Sequence, residues 1–145
     1  MPTVKITFSP PSNGWLPTCI ELGTEVLEFV ASDVPNNPVE ELYSAVLAAA
    51  AGRDGKVWWN LEPDGYFFEI SVANGDVHLR VLFSEHSIGS PKTEVASVTG
   101  TKTEVLLPLW RALRQFESFH ALEPHWPRTE LAGMEELREA LRDKS

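Results

Sequence analysis

Apolar and polar residues alternate strictly from Thr3 to Ser9, with Val4, Ile6 and Phe8 on one side and Lys5 and Thr7 on the other. A period of two predicts a half-buried strand, and Pro10-Pro11-Ser12-Asn13-Gly14 ends it. Leu16 to Leu22 and Glu25 to Ala31 predict two more strands around a turn at Gly23-Thr24, with Leu27, Phe29 and Ala31 sharing a face. The period then changes. Val39, Leu42, Tyr43, Val46, Leu47 and Ala50 recur at three- and four-residue spacing, the apolar stripe of a helix. Asn37 suits the N-cap of that helix and Pro38 its first position, Glu40 and Glu41 lie at the positive end of its dipole, and Gly52 stops it.

A meander follows. Lys56 to Glu62, Gly65 to Ala73 and Asp76 to Ser84 read as strands, joined by Pro63-Asp64 and by Asn74-Gly75. Asn-Gly is the strongest short hairpin signal because both residues tolerate positive φ. A two-residue loop there sets Val72 opposite Val77, Ile70 opposite Leu79, Phe68 opposite Val81 and Tyr66 opposite Phe83, an apolar pair every time. Carried across the Pro-Asp turn, the same face pairs Leu61 with Tyr66, Trp59 with Phe68 and Val57 with Ile70. Trp58 then points to the other face, whereas a three-residue loop bulged at Gly65 would exchange the two tryptophans. The first register is preferred because it buries Val57, Trp59 and Leu61.

Glu85 to Lys92 is a polar loop and Thr93 to Val98 a weaker strand. Thr103 or a neighbour caps a second helix whose apolar face is Leu106, Leu109, Trp110, Leu113 and Phe116. Pro108 belongs in its first turn or bends it. Glu117 falls on the apolar stripe, so either the stripe reaches solvent there or the carboxylate has a partner. Thr129 onward, through Met134, Leu137 and Leu141, predicts a short amphipathic C-terminal helix. The order βββ-α-ββββ-α-α, with hairpins in place of βαβ units, predicts an α+β fold over residues 1–145 as one domain: a mostly antiparallel sheet of six or seven strands with helices on one face.

Composition narrows the function. Apolar residues make up 43% of the 145, enough for a core without staples. Cys19 is the only cysteine, which excludes an internal disulfide and suits an inert packed thiol. No basic segment precedes an apolar one at the start and no apolar run approaches ~20 residues, so the expectation is a cytoplasmic protein off the membrane. Net charge is −9, and residues 1–101 hold five basic against thirteen acidic side chains. This balance argues against nucleic acid, whose phosphates need a basic surface, and favours a basic protein partner through electrostatic steering.

Catalytic and metal chemistry find little footing. His120, Glu123 and His125 lack zinc-helix spacing, and Pro124 keeps the two histidines off one helical face. His86 sits with Glu85 in a polar loop where nothing identifies the nucleophile or substrate pocket that an acid/base role needs, and His78 faces outward opposite Ser71. The glycines are scattered as turn residues and never form a phosphate cradle. No catalytic residue, cofactor site or metal site is therefore expected.

The aromatics say more. If Trp59 and Phe68 are in the core, Trp58 and Phe67 are committed to the second face, beside Glu69, Arg80 and Leu82. These five residues are the expected partner-binding patch, since Trp and Arg dominate interface hot spots. The plainer alternative is an ordinary surface pair, with Arg80 stacked on Trp58 and bonded to Glu69.

The segments WNLEPDGYFFEI and LPLWRALRQFE resemble stretches shared by small uncharacterised bacterial proteins with a W-N-x-E-P strand end and an L-P-x-W-R-A-L helix. The layout over residues 3–118 is similar to immunity proteins of polymorphic-toxin systems, including those that protect against a wall-associated toxin. The resemblance implies inhibition of a toxin by tight binding, carries over no catalytic residue, and leaves out the tail from Glu123 to Ser145. Two alternatives stand beside it: a small-molecule binder or enzyme with a pocket between sheet and helices, and a structural subunit that dimerises through the second sheet face.

Overall fold

A computed structural model describes residues 2–119, 125–127, 129 and 131–142. The strands are β1 (Val4–Phe8), β2 (Trp15–Leu22), β3 (Glu25–Ser32), β4 (Gly55–Asn60), β5 (Gly65–Ala73), β6 (Asp76–Ser84) and β7 (Lys92–Gly100). The helices are α1 (Pro38–Ala50), α2 (Lys102–Glu117) and α3 (Met134–Leu141). All seven strands lie in one antiparallel sheet in chain order. The chain is thus α+β in the expected order βββ-α-ββββ-α-α.

The inner face follows the alternation. Ile6, Phe8, Leu16, Ile20, Leu22, Phe29 and Ala31 from the first three strands, and Val57, Trp59, Phe68, Ile70, Val77, Leu79 and Val81 from the meander, are buried in one cluster with the helix stripes. Trp59 sits at its centre, with ring centroids of Phe68, Phe29 and Phe8 at 5.2, 5.8 and 6.1 Å. The sheet curls strongly, so that a Cβ at Gly23, in the β2–β3 turn, would lie 3.9 Å from Ser97 O of β7.

The Asn74-Gly75 hairpin has the predicted register, including Val72↔Val77 and Tyr66↔Phe83. The β4–β5 register differs from the expectation by two residues: Trp59 pairs with Tyr66, Val57 with Phe68 and Gly55 with Ile70. A four-residue loop, Leu61 to Asp64, replaces the two-residue turn. Asn60 is the cause, because its Oδ1 accepts from Glu62 N at 3.3 Å and starts a turn of its own, after which Glu62 takes φ 59°. A slip of two preserves side-chain parity, so Trp59 stays inside and Trp58 outside.

Helix α1 is capped as expected, with Asn37 Oδ1 accepting from Val39 N at 3.1 Å and Glu40 N at 3.4 Å. Its stripe is rotated from the predicted one: Ala45 and Ala49 are buried, and Leu47 is 40% exposed. The reason is a close approach. A Cβ at Gly55 of β4 would lie 2.7 Å from Ala45 Cα, so small residues on both elements let helix and strand touch, and the bulkier Leu47 is turned outward.

Helix α2 starts earlier than Thr103, at a capping box in which Thr101 and Glu104 each bond the other's backbone N–H. Pro108 consequently lies in its second turn. Glu117 pairs with Arg114 at 3.1 Å, which answers for its place beside the stripe.

Helix α3 begins after Gly133, later than the expected Thr129. It belongs to the core: Met134, Leu137 and Leu141 are buried, Met134 O accepts from Trp110 Nε1 at 2.8 Å, and Leu141 O accepts from Thr103 Oγ1 at 2.7 Å. Trp126 is also buried, its ring centroid 6.2 Å from that of Phe116.

Candidate protein-docking face

No helix residue contributes to the second hydrophobic cluster, which consists of Trp58, Phe67 and Leu82. All three come from the sheet face opposite the helices. β-Pairing sets them in one row, Trp58↔Phe67↔Leu82, and sets Lys56↔Glu69↔Arg80 in the next. The five residues expected to form a patch therefore do come together. Their exposure is not as expected, since Trp58, Phe67 and Leu82 are only 6, 5 and 5% exposed.

Long cationic side chains cover the Phe67 ring. The Trp58 and Phe67 rings stack obliquely, centroids 4.6 Å apart, and the ammonium groups of Lys56 and Lys92 sit 4.5 and 4.3 Å from the Phe67 centroid. Their aliphatic stems shield apolar surface while the charges meet the ring's negative face. Beneath the indole lies Gly65, where a Cβ would come 2.7 Å from Trp58 Cη2. Arg80 does not take the stacking role; it bonds Glu69 at 2.7 Å and lies 3.6 Å from Glu94.

Glu69 is the hub of the charges. Its second oxygen accepts from Lys92 Nζ at 2.7 Å. The Lys92 bond, opposed by partial burial and aided by the Arg80 bond, holds its carboxyl below the usual carboxylate range. Lys92 is pushed up in turn, chiefly by Glu69. The β4–β7 half of the outer face is thus a closed apolar cluster under a charged lattice, able to exchange ion pairs with a partner but not to lend it an aromatic ring.

The β1–β3 half differs. Trp15, Val26 and Val30 point outward and are 36, 59 and 45% exposed. Register places Val30 against Pro17, Glu28 against Cys19 and Val26 against Glu21. A shallow groove of about 410 Å³ runs across this surface, lined by Thr7, Ser9, Pro17, Cys19, Glu28 and Val30 among others. Cys19 is half-buried there; its thiol is pushed up by burial, then by Glu28 and Glu21, so it is a poor nucleophile. The signal for this surface was present in the sequence. Once Leu27, Phe29 and Ala31 are assigned inward, Val26 and Val30 have only the outer face left.

Three histidines, His78, His86 and His125, lie among the described residues. His125 Nδ1 accepts from Asn13 N at 3.1 Å and its carbonyl from Gly14 N at 2.6 Å, tying the C-terminal segment to the β1–β2 loop. His86 O accepts from Ser84 Oγ, and His78 pairs with Ser71 as expected. His120 and Glu123 lie outside the described residues. Among the described residues no three His, Cys, Asp or Glu side chains cluster as metal ligands, and no helix is long and apolar enough to cross a membrane.

Comparison with family models, curated proteins and solved structures finds no match to this chain.

Proposed function

We propose that the chain is a protein-binding module that docks a basic protein partner on the outer face of its sheet, as an immunity-type inhibitor of a bacterial toxin would. The observation that carries this is the bare β1–β3 surface: Trp15, Val26 and Val30 stand exposed on the side away from the helices, beside Glu21 and Glu28. Exposed apolar anchors rimmed by like charges are the anatomy of a docking site, with the anchors holding the partner and the rim steering it. The similarity of the element layout over residues 3–118 to immunity proteins of polymorphic-toxin systems supports the same reading.

The test is capture from the source-cell lysate followed by kinetics with the purified partner. Association should slow as salt rises, because steering acts within a Debye length of ~8 Å at physiological ionic strength. Trp15→Ser should speed dissociation at least about tenfold, as loss of an anchor does. Leu47→Ser, on the exposed side of α1, is the control and should change neither rate. Binding indifferent to both salt and Trp15 would sink the proposal.

A further inference from the structure

Strand β3 meets β4 at one residue pair only, Ser32↔Asn60. Both strands end at that pair and extend to opposite sides of it, so the rest of β3 runs past the end of β4, with sheet on one side and a gap on the other. The direction of its hydrogen bonds follows from hairpin geometry. Leu22 and Glu25 flank the two-residue Gly23-Thr24 turn, and Asp33 N donates to Gly14 O at 3.0 Å at the other end. Glu25, Leu27, Phe29 and Ala31 therefore bond toward β2, and Val26, Glu28 and Val30 present their N–H and C=O groups to the gap. Among the described residues, nothing bonds to those backbone groups.

The edge of β4 is different, and it lies on the far side of the Ser32↔Asn60 pair from Val26–Val30. Trp58 N donates to Glu41 Oε1 at 2.9 Å, and Trp58 O accepts from Asn36 Nδ2 at 2.9 Å, so side chains already occupy that edge. The other free edges carry protection too. β1 carries Lys5 and has Phe8 N bonded to Gln115 Oε1 at 3.0 Å; β7 starts with Lys92 and pairs through a register shift at Val81/Leu82. The sequence of β3, EVLEFVAS, contains no lysine, no proline and no bulge, the devices by which natural sheets blunt an open edge.

From this asymmetry we infer that Val26–Val30 is a strand-addition site: an extended segment of a partner protein pairs with the free edge of β3, with a basic side chain opposite Glu28 and β-branched residues opposite Val26 and Val30. The main-chain bonds supply affinity and the alternate side chains supply choice. Charge selects the occupant. Glu25 and Glu28 lie on the strand, Glu28 on its outer face, with Glu21 beside it. A second copy of this chain is a poor occupant, because pairing centred on Glu28 sets that carboxylate against itself, and each chain carries −9.

This inference rests on the docking-face proposal and adds a mode to it. Its test uses the full chain, isotope-labelled, with the peptide acetyl-KVTKTVK-amide and its acidic counterpart acetyl-EVTETVE-amide. In the free protein the amides of Val26, Glu28 and Val30 should exchange at least about tenfold faster than those of Leu27 and Phe29. The basic peptide should bind with Kd below about 1 mM, slow those three amides and bind more weakly as salt rises, and the acidic one should not bind. Glu28→Pro should fold, since the N–H it removes has no partner, and should abolish peptide binding. If that variant does not fold, Glu28→Lys decides, by reversing the preference between the peptides. Three results would each overturn the inference: protection of the three amides in the free monomer, protection that rises with protein concentration (which would make a second copy the occupant), or no binding of the basic peptide. Partner binding that survives Glu28→Pro yet falls with Trp15→Ser would remove the strand-addition mode and leave the docking face standing.

Discussion

Replacing each of the adjacent tryptophans by alanine separates the two faces of the meander energetically. Trp59 is fully buried and touches three rings, Phe8, Phe29 and Phe68. Truncating a buried Trp costs ~3–5 kcal/mol, and each well-placed aromatic pair adds ~0.5–1.5 kcal/mol beyond area. Against this, its indole Nε1 has no acceptor among the described residues, so its removal recovers part of a desolvation cost of about 1–3 kcal/mol. The expected loss for Trp59→Ala is ~4 kcal/mol, which for a chain of 145 residues lowers Tm by about 12 °C. Trp58 is nearly as buried, but it has one ring partner and a cluster of only three residues that can collapse under the Lys56 and Lys92 stems. Its loss should be about 2–3 kcal/mol, well above the half kilocalorie of an ordinary surface site. Urea unfolding followed by far-ultraviolet circular dichroism measures both, with equal slopes required for comparison. A Trp58→Ala cost near zero would refute the lysine-roofed cluster and restore an exposed aromatic patch; a cost above that of Trp59→Ala would mean the faces are exchanged.

Two further perturbations test the same region. Gly65→Ala should destabilise by ~3 kcal/mol or more, because its Cβ would fall 2.1 Å from Trp59 O and 2.7 Å from the Trp58 ring; Gly75→Ala, at φ 83° with open space around it, should lose only ~1 kcal/mol, and equal melting shifts would contradict the packing of Trp58 on Gly65. The depressed carboxyl of Glu69 stabilises the fold above its ordinary pKa, near 4.3, and that contribution disappears as pH falls through the lower folded value. The stability difference between the native chain and Glu69→Gln should therefore hold from pH 7 to 5 and shrink toward zero in more acid solution. A difference independent of pH would show that the Lys92 and Arg80 bonds contribute nothing.

Local chemistry was enough to read the elements and the faces. Alternation placed Val4, Ile6, Phe8 and the Val57–Trp59 parity correctly, and Asn74-Gly75 set the β5–β6 register to the residue, because a two-residue turn leaves no freedom. Asn37-Pro38 located α1 for the same reason: a cap acts over three residues. What sequence could not decide was set by contacts between distant segments. The length of the Leu61–Asp64 loop depends on the Asn60 side chain, and the exposure of Leu47 on how closely Ala45 approaches Gly55. Parity told which face Trp58 and Phe67 take, but not that Lys56 and Lys92 would cover the Phe67 ring, since cover is a property of neighbouring strands and not of period. The free edge of β3 is the extreme case. Nothing in EVLEFVAS distinguishes a central strand from an open one; only the stagger of β3 against β4, which end at the Ser32↔Asn60 pair and extend to opposite sides of it, leaves Val26 to Val30 without a partner strand.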